Sequence, residues 1–199
     1  MEQAQGTRVE LKYIWRTPGI KTSSYINTCM TEDQIKLQRG NTEWMMQQAS
    51  CCTHAVTLTL KPYRVIESYR GRTRETVTEI EAQSNFRQFM DRLNANLFGN
   101  AAKRFGKSVT AIPVLGEIRS RKKPHYHCAM GNFRDHLDDE AIAASIKSAW
   151  RATPFGNYQV DVQPMTTDLW LGYLGNHTGN NDNGFVDVEN LRLPPALLS

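Results

Sequence analysis

Alternation of apolar and polar positions predicts four β-strands in this chain. Residues 54–60 read His-Ala-Val-Thr-Leu-Thr-Leu, in which apolar side chains alternate with threonine before Lys61-Pro62. This pattern is typical of a strand with one buried face, and a proline marks its end. Three further alternating or apolar stretches predict strands over 109–118, 125–131 and 157–163. The polar run 120–123 connects the second and third strands and predicts a β-hairpin.

Apolar positions that recur every three or four residues predict helices between these strands. The clearest helix runs over 84–105, with Ser84 as its cap and Gly106 as its stop. Its apolar stripe consists of Phe86, Phe89, Met90, Leu93 and Leu97. A second helix is predicted over 138–152, and a short third helix over 169–174.

The remaining segments are less regular. Thr31 and Gln34 fit a capping box, which predicts an early helix that runs towards Ser50 and is weakened at Gly40. Residues 63–80 are basic and rich in threonine, and we predict a loop there, or a short strand around 75–80.

The order strand, helix, strand, strand, helix, strand and final helix predicts an α+β fold. It matches the split βαβ arrangement, ferredoxin-like or RRM-like, in which an antiparallel sheet carries its helices on one face. The other face of the sheet is then open for a metal site, beneath the final helix.

Two histidines separated by one residue, His125 and His127, lie in the third predicted strand. Because side chains i and i+2 of a strand share a face, both imidazoles point to the same side. If Arg119 pairs with His125 across the hairpin, Glu117 lies opposite His127, with their Cβ atoms about 5 Å apart. Two imidazoles and a carboxylate suit Mg, Mn or Zn. A register slip of one residue would remove Glu117 from the site.

The chain has 199 residues and a net charge of +4, and its basic residues fall in two clusters. The first cluster comprises Lys61, Arg64, Arg70, Arg72 and Arg74. The second cluster comprises Lys103, Arg104, Lys107, Arg119, Arg121, Lys122 and Lys123. Clustered Lys and Arg bind phosphate groups, so two basic clusters that flank a metal hairpin favour nucleic acid over a merely solvated surface.

Composition argues against a membrane or secreted protein. No apolar run reaches the about 20 residues that span a bilayer, and the N-terminus has no basic-then-apolar signal. The four cysteines contain no Cys-x-x-Cys pair. We therefore expect a protein of the reducing cytoplasm.

A metal beside basic segments suggests phosphodiester chemistry, in which water or a tyrosine is the nucleophile. Tyr173 lies in the predicted final helix, and Trp170, three residues earlier, shares its helical face. A lone tyrosine is more commonly a packed aromatic with a hydrogen-bonded hydroxyl. Tyr126 alternates away from the histidines, so Tyr173 is the candidate that can face the sheet.

These motifs resemble those of the HUH endonucleases, in the branch of the rolling-circle replication initiators (Rep). Three segments carry the resemblance: Val56-Thr57-Leu58-Thr59-Leu60, Pro124-His125-Tyr126-His127 and Tyr173-Leu174-Gly175-Asn176. Asn176 stands where the family has a lysine that positions the scissile phosphate and balances its charge. The resemblance covers residues 53–178, between an N-terminal extension (1–52), whose helix packs on the core, and a C-terminal tail (179–199).

The resemblance implies a metal-dependent enzyme that nicks and joins single-stranded DNA to initiate rolling-circle replication. Glu117, His125 and His127 are the implied ligands of Mg or Mn. Tyr173 attacks the scissile phosphate and keeps the 5′ phosphate covalently, with Asn176 beside it. The implied DNA-binding residues are Arg70, Arg72, Arg74, Arg119, Arg121, Lys122 and Lys123. The substrate is single-stranded DNA beside an origin hairpin, and a host helicase and polymerase are candidate partners.

Three alternatives stay open. The chain could be a DNA-hairpin-binding protein of the same fold whose catalysis is reduced or lost through Asn176. It could also be a relaxase or a single-tyrosine transposase of the same superfamily. An RNA-binding RRM domain is the most distant alternative, because the aromatic signature of its central strands is absent from this sequence.

Overall fold

A computed structural model describes residues 31–69, 71–116, 118, 123–178 and 184–194. The strands in these residues are β1 (His54–Leu60), β2 (Tyr63–Ser68), β3 (Gly71–Thr76), β4 (Thr110–Gly116), β5 (His125–Gly131), β6 (Gly156–Pro164) and β7 (Phe185–Val186). The helices are α1 (Glu32–Gln47), α2 (Glu79–Phe98), α3 (Asn100–Phe105), α4 (Asp139–Arg151) and α5 (Leu169–His177). Five strands form one antiparallel sheet in the order β6-β1-β5-β4-β7, so the predicted α+β class is confirmed.

One face of this sheet packs against α2 and α4. The inward side chains of β1, which include Val56 and Leu58, are fully buried there. Phe89 of α2 meets Trp150 of α4 edge to face, with ring centroids 5.4 Å apart. Burial of each large apolar side chain stabilises the fold by about 1.5–3 kcal/mol. This face has the larger set of buried apolar side chains, so it is the main core.

Helices α1 and α5 pack against the opposite face, over β4 and β5. A second buried cluster joins them to the sheet and consists of Met45, Cys52, Ile112, Val114, Ala129, Leu171 and Leu174. Helices α2 and α4 therefore lie on one face, and α5 lies over the other face, where the final helix was expected. Helix α1 covers part of a face that was otherwise predicted to be open. The apolar side chains of β4 and β5 on this second face need a cover, which α1 and α5 provide.

Helices α2 and α1 both differ from their predictions, and the predicted helix over 84–105 is divided into α2, which ends at Phe98, and the separate α3. Helix α2 begins five residues earlier than expected, because Thr78 and Glu81 form a capping box in place of the predicted Ser84 cap. Helix α1 begins at the predicted Thr31 cap and continues through Gly40 without a break.

The described residues of the segment 63–76, which we call the arm, form a two-stranded antiparallel sheet, whereas a loop or a short strand around 75–80 was predicted. Tyr63 pairs with Thr76 at its base, and Ser68 pairs with Gly71 near its tip. Gly71 has φ of +112°, a conformation that glycine adopts at little cost. Both faces of the arm are largely exposed, so the sequence lacks the clean apolar alternation that marks a half-buried strand.

The hairpin of β4 and β5 also has a different register from the predicted one. Gly116 pairs with His125 and Val114 pairs with His127, so the predicted pairing of Arg119 with His125 is wrong. Strand β4 ends at Gly116, before the predicted end at residue 118. Glu117 itself lies outside the described residues.

A buried carboxylate joins the segment after α5 to the main core. Asp187 is fully buried and accepts hydrogen bonds from Tyr126 Oη at 2.8 Å, Asn190 Nδ2 at 2.7 Å and Gln83 Nε2 at 3.2 Å. Its backbone N–H donates to the carbonyl of Pro113 at 2.9 Å. A buried charge is tolerable only when such donors surround it, so this network attaches residues 187–190 to β4, β5 and α2.

We expect Tyr126→Phe to lower the free energy of unfolding by about 1–3 kcal/mol, because the buried Asp187 carboxylate then loses a donor. Urea denaturation measures the change. Tyr158→Phe is the matched control, since Tyr158 is 72% exposed. Removal of its hydroxyl should change the free energy of unfolding by less than about 0.5 kcal/mol. Equal stability of the two variants would contradict this role of Tyr126.

Within the described part of the chain, no helix combines the length and the apolar character needed to cross a membrane.

A candidate active site beside paired histidines

Two imidazoles of β5 meet on the face of the sheet that α1 and α5 cover in part. The Nε2 atoms of His125 and His127 are 2.9 Å apart, so the prediction that both rings share a face is confirmed. Adjacent ligands of an octahedral ion lie about 3.0 Å apart when each bond is about 2.1 Å. The two nitrogens therefore have a separation that suits two neighbouring ligands of one ion.

Each imidazole is oriented by a hydrogen bond at its other nitrogen. His125 Nδ1 donates to the backbone carbonyl of Lys123 at 3.0 Å, and its Nε2 faces that of His127. His127 Nδ1 lies 3.0 Å from the hydroxyl of Thr57, the residue that pairs with it across β1. Partners of this kind fix ring orientation in metal sites, since a ligating histidine nearly always bonds through its second nitrogen.

His127 is electrically neutral at neutral pH. Burial lowers its pKa to about 3, and the nearby His125 and His177 add to this effect. A neutral imidazole keeps the lone pair that a metal ion requires, so no proton has to be displaced from His127 by the ion at pH 7.

Tyr173 of α5 lies directly over this pair. Its hydroxyl is 3.4 Å from Nε2 of His127, although 46 residues separate them in sequence. The tyrosine ring stacks on Trp170, with centroids 4.9 Å apart and planes inclined by 20°. Tyr173 remains 40% exposed, so part of the residue is open to solvent. The structure thus brings together the histidines and the tyrosine that the sequence analysis selected.

Three contacts hold α5 above the sheet. Trp170 Nε1 donates to the carbonyl of Cys128 on β5 at 2.9 Å. Gln38 of α1 donates to the carbonyl of Asn176 at 2.7 Å. Gly175 lies so close to Thr42 of α1 that a Cβ atom there would stand 2.5 Å from Thr42 Cα. Helix α1 therefore sets the height and position of the helix that carries Tyr173.

His177 is a site residue that the sequence analysis missed. Its ring centroid lies 4.2 Å from that of Tyr173 and 5.4 Å from that of His127. The predicted helix ended at residue 174, whereas α5 continues to His177 and so places it on the same helical face as Tyr173. The spacing of four residues between Tyr173 and His177 was a usable signal, but the predicted helix ended before His177.

The other predicted site residues are distributed as follows. Arg72 pairs with Glu67 on the arm at 2.8 Å, and Arg74 lies over the Tyr63 ring, 4.6 Å from its centroid. Lys123 donates to Gln159 at 3.3 Å beside the histidine pair. Asn176 is exposed near the end of α5. Five predicted residues lie outside the described part of the chain, namely Arg70, Glu117, Arg119, Arg121 and Lys122.

Among the described residues, no three His, Cys, Asp or Glu side chains converge closely enough to hold a metal ion by themselves. The paired imidazoles supply two ligands, and the predicted third ligand, Glu117, lies outside these residues.

Metal binding can be measured without any substrate. We expect the protein to bind Mn²⁺ in a calorimetric titration, and His127→Ala to weaken binding at least about tenfold, since even residues that only support ligands cost that much. His136→Ala is the matched control, because His136 is exposed in a turn beyond the other end of β5. If His127→Ala binds Mn²⁺ as tightly as the control does, the pair holds no metal.

Comparison with protein-family models, with curated proteins and with solved structures finds no match to this chain. Any function proposed for this chain therefore rests on the residues of the site.

Proposed function

We propose that this protein is an HUH endonuclease of the replication-initiator type, which nicks and rejoins single-stranded DNA through a phosphotyrosine. One observation carries the proposal: the Tyr173 hydroxyl lies 3.4 Å from an imidazole nitrogen that itself lies 2.9 Å from a second one. A nucleophile beside a two-histidine ligand pair is an arrangement suited to metal-assisted phosphoryl transfer.

The order of the elements supports the same class. Strands β6, β1, β5 and β4 lie side by side, α2 connects β1 to β4, and α4 connects β5 to β6. This is the order expected of a split βαβ fold. Thr57 of the first motif pairs with His127 of the second, and this pairing gives the threonine strand a function in orienting the ligand.

We assign the metal ligands to His125 and His127. Glu117 is the proposed third ligand on the strength of the resemblance alone, because the observed pairing of Gly116 with His125 does not place Glu117 opposite His127. An Mg or Mn ion held by these residues would polarise a phosphoryl oxygen and offset the charge that develops on it. The neutral state of His127 and the 2.9 Å separation of the two Nε2 atoms fit this assignment.

Tyr173 supplies the attacking oxygen. A bond forms between Tyr173 Oη and phosphorus, the bond from phosphorus to the 3′ oxygen breaks, and the phenol proton is lost as the 3′ hydroxyl gains one. Stacking on Trp170 restricts the tyrosine ring, so little conformational freedom remains to be lost before the attack. Attack of the 3′ hydroxyl on the phosphotyrosine reverses these bond changes and rejoins the strand.

The test uses labelled single strands that carry inverted repeats, with Mn²⁺, and detects adducts that survive denaturing electrophoresis. We expect the wild-type protein to form such an adduct and EDTA to prevent it. Peptide mapping should place the DNA on Tyr173. If a library of such strands gives no adduct with the wild-type protein, the proposed chemistry is wrong.

Asn176 favours one other function, that of a hairpin-binding protein with little catalysis. The position is exposed and carries an uncharged amide three residues after Tyr173, where a cation would stabilise the charge of the phosphate. This alternative predicts hairpin binding without an adduct. Asn176→Lys should then produce or increase adduct formation in the same assay.

A further inference from the structure

The arm is a two-stranded ribbon that projects from the body of the protein. Its strands pair from Tyr63↔Thr76 to Ser68↔Gly71, and they form no ladder with the main sheet. Among its described residues only Arg64 and Glu75 are partly buried, and the others are exposed. Six-residue strands give the ribbon a length of about 20 Å.

Contacts at the base fix the arm to the body. The Arg64 guanidinium forms an ion pair with Glu75 and lies over the Phe155 ring, 5.1 Å from its centroid. The N–H of Val77 donates to the carbonyl of Pro62 at 3.0 Å, which closes the base. A two-stranded hairpin is only marginally stable in water, so these contacts are what hold the ribbon in one direction.

The base of the arm lies at the end of the sheet where the histidines are found. The arm follows β1 directly, and Thr59 near the end of β1 pairs with His125. The N–H of Leu60 donates to the carbonyl of Pro124, the residue that precedes His125, at 2.9 Å. The base of the arm therefore lies at the same end of the sheet as the proposed active site.

The surface of the arm combines positive charge with exposed aromatic and aliphatic groups. The sequence of the arm contains four Arg and two Glu, a net charge of +2 in a chain whose total is +4. Tyr69 near the tip is 91% exposed and Val65 is 52% exposed. Arg72 and Glu67 form an ion pair whose side chains are more than two-thirds exposed. Such exposed pairs contribute little to stability, so Arg72 can leave Glu67 and bind a phosphate instead.

These dimensions and charges fit double-stranded DNA. The major groove of B-form DNA is about 12 Å wide and admits a two-stranded β-ribbon. Arginine is the side chain that most often reads guanine there, and it also binds the flanking phosphates. A single strand would instead need a row of stacking aromatics, whereas the described residues of the arm include two, Tyr63 and Tyr69.

We propose that the arm inserts into the major groove of a DNA duplex and so positions the adjoining single strand at Tyr173. The inference rests on the proposed function for its choice of DNA as the substrate, and it assigns the duplex part of that substrate to the arm. The rigid base then sets the distance between the duplex and the scissile phosphate.

The test measures binding alone, by fluorescence anisotropy of the full-length protein in EDTA. Three probes are compared: a duplex of about two helical turns, the same duplex with a single-stranded extension, and a single strand of equal length. We expect Tyr69→Ala and Arg72→Ala each to weaken binding to the duplex probes about tenfold, with less effect on the single strand. Arg72→Ala should also reduce the slope of log affinity against log salt by about one.

Arg92→Ala is the matched control, because Arg92 is exposed on α2, the helix layer opposite the site. If the arm variants bind duplex as the control does, or lose equal affinity for single strand and duplex, the inference is overturned. Failure of the proposed function looks different: the wild-type protein would form no adduct while its duplex binding still depended on the arm.

Discussion

Tyr173→Phe is expected to form no covalent adduct with DNA under conditions where the wild-type protein forms one. The substitution removes the only oxygen of the side chain, which lies 3.4 Å from His127 Nε2. The ring that stacks on Trp170 is retained, so the helix and the sheet should not change. The loss is complete because no other atom of the phenylalanine side chain can form a phosphoester bond.

Three measurements separate loss of the nucleophile from loss of structure. Tyr173→Phe should keep the unfolding midpoint of the wild-type protein to within a few degrees, and its calorimetric affinity for Mn²⁺ should be unchanged. Tyr158→Phe, which removes an exposed hydroxyl on β6, should form adduct at the wild-type rate. An adduct of Tyr173→Phe in wild-type yield would mean that another residue is the nucleophile.

Gly175→Ala should have the second largest effect on adduct formation, although residue 175 does not touch the histidines in the proposed mechanism. A Cβ atom at this position would lie 2.3 Å from Thr42 Oγ1 and 2.5 Å from Thr42 Cα. Since backbone is in the way, α5 has to move away from α1. Such overpacking costs about 1–3 kcal/mol of stability. A displacement of Tyr173 by about 1 Å would slow the reaction by about 100-fold.

The same helix provides the matched control. At Gly172 an added Cβ would meet only Met46 Sδ at 3.9 Å, an ordinary contact. Gly172→Ala should therefore fold at least as stably as the wild-type protein, because alanine favours the helix by up to about 1 kcal/mol. Adduct rates and urea midpoints of the two variants test the close approach of α1 and α5. Equal adduct rates and equal urea midpoints for Gly175→Ala and Gly172→Ala would show that the close approach of α1 and α5 does not position Tyr173.

Strands with one buried face and helices with a clear cap were predicted closely. Residues 54–60 and 125–131 have the bounds of β1 and β5, and α4 begins after Asp138, whose side chain accepts from the N–H of Ala141. These elements carry their own periodicity or cap, so neighbouring residues suffice to define them. The arm was missed because both of its faces meet solvent.

The hairpin register could not be predicted in the same way. The sequence analysis placed Arg119 opposite His125, whereas Gly116 lies there. Register depends on where the strand ends and on which side chains of β4 the distant helices bury, and Val114 is buried beneath α1 and α5. The polar run alone contains neither piece of information.

The sequence by itself determined the strand that places His125 and His127 on one face, and it singled out Tyr173 as the tyrosine able to face them. Tertiary structure alone decided that the Tyr173 hydroxyl lies 3.4 Å from His127 and that His177 joins the cluster. The physical reason is that a local pattern defines the direction of a side chain within its own element. Distances between elements depend on packing between residues far apart in the chain, such as Gly175 against Thr42.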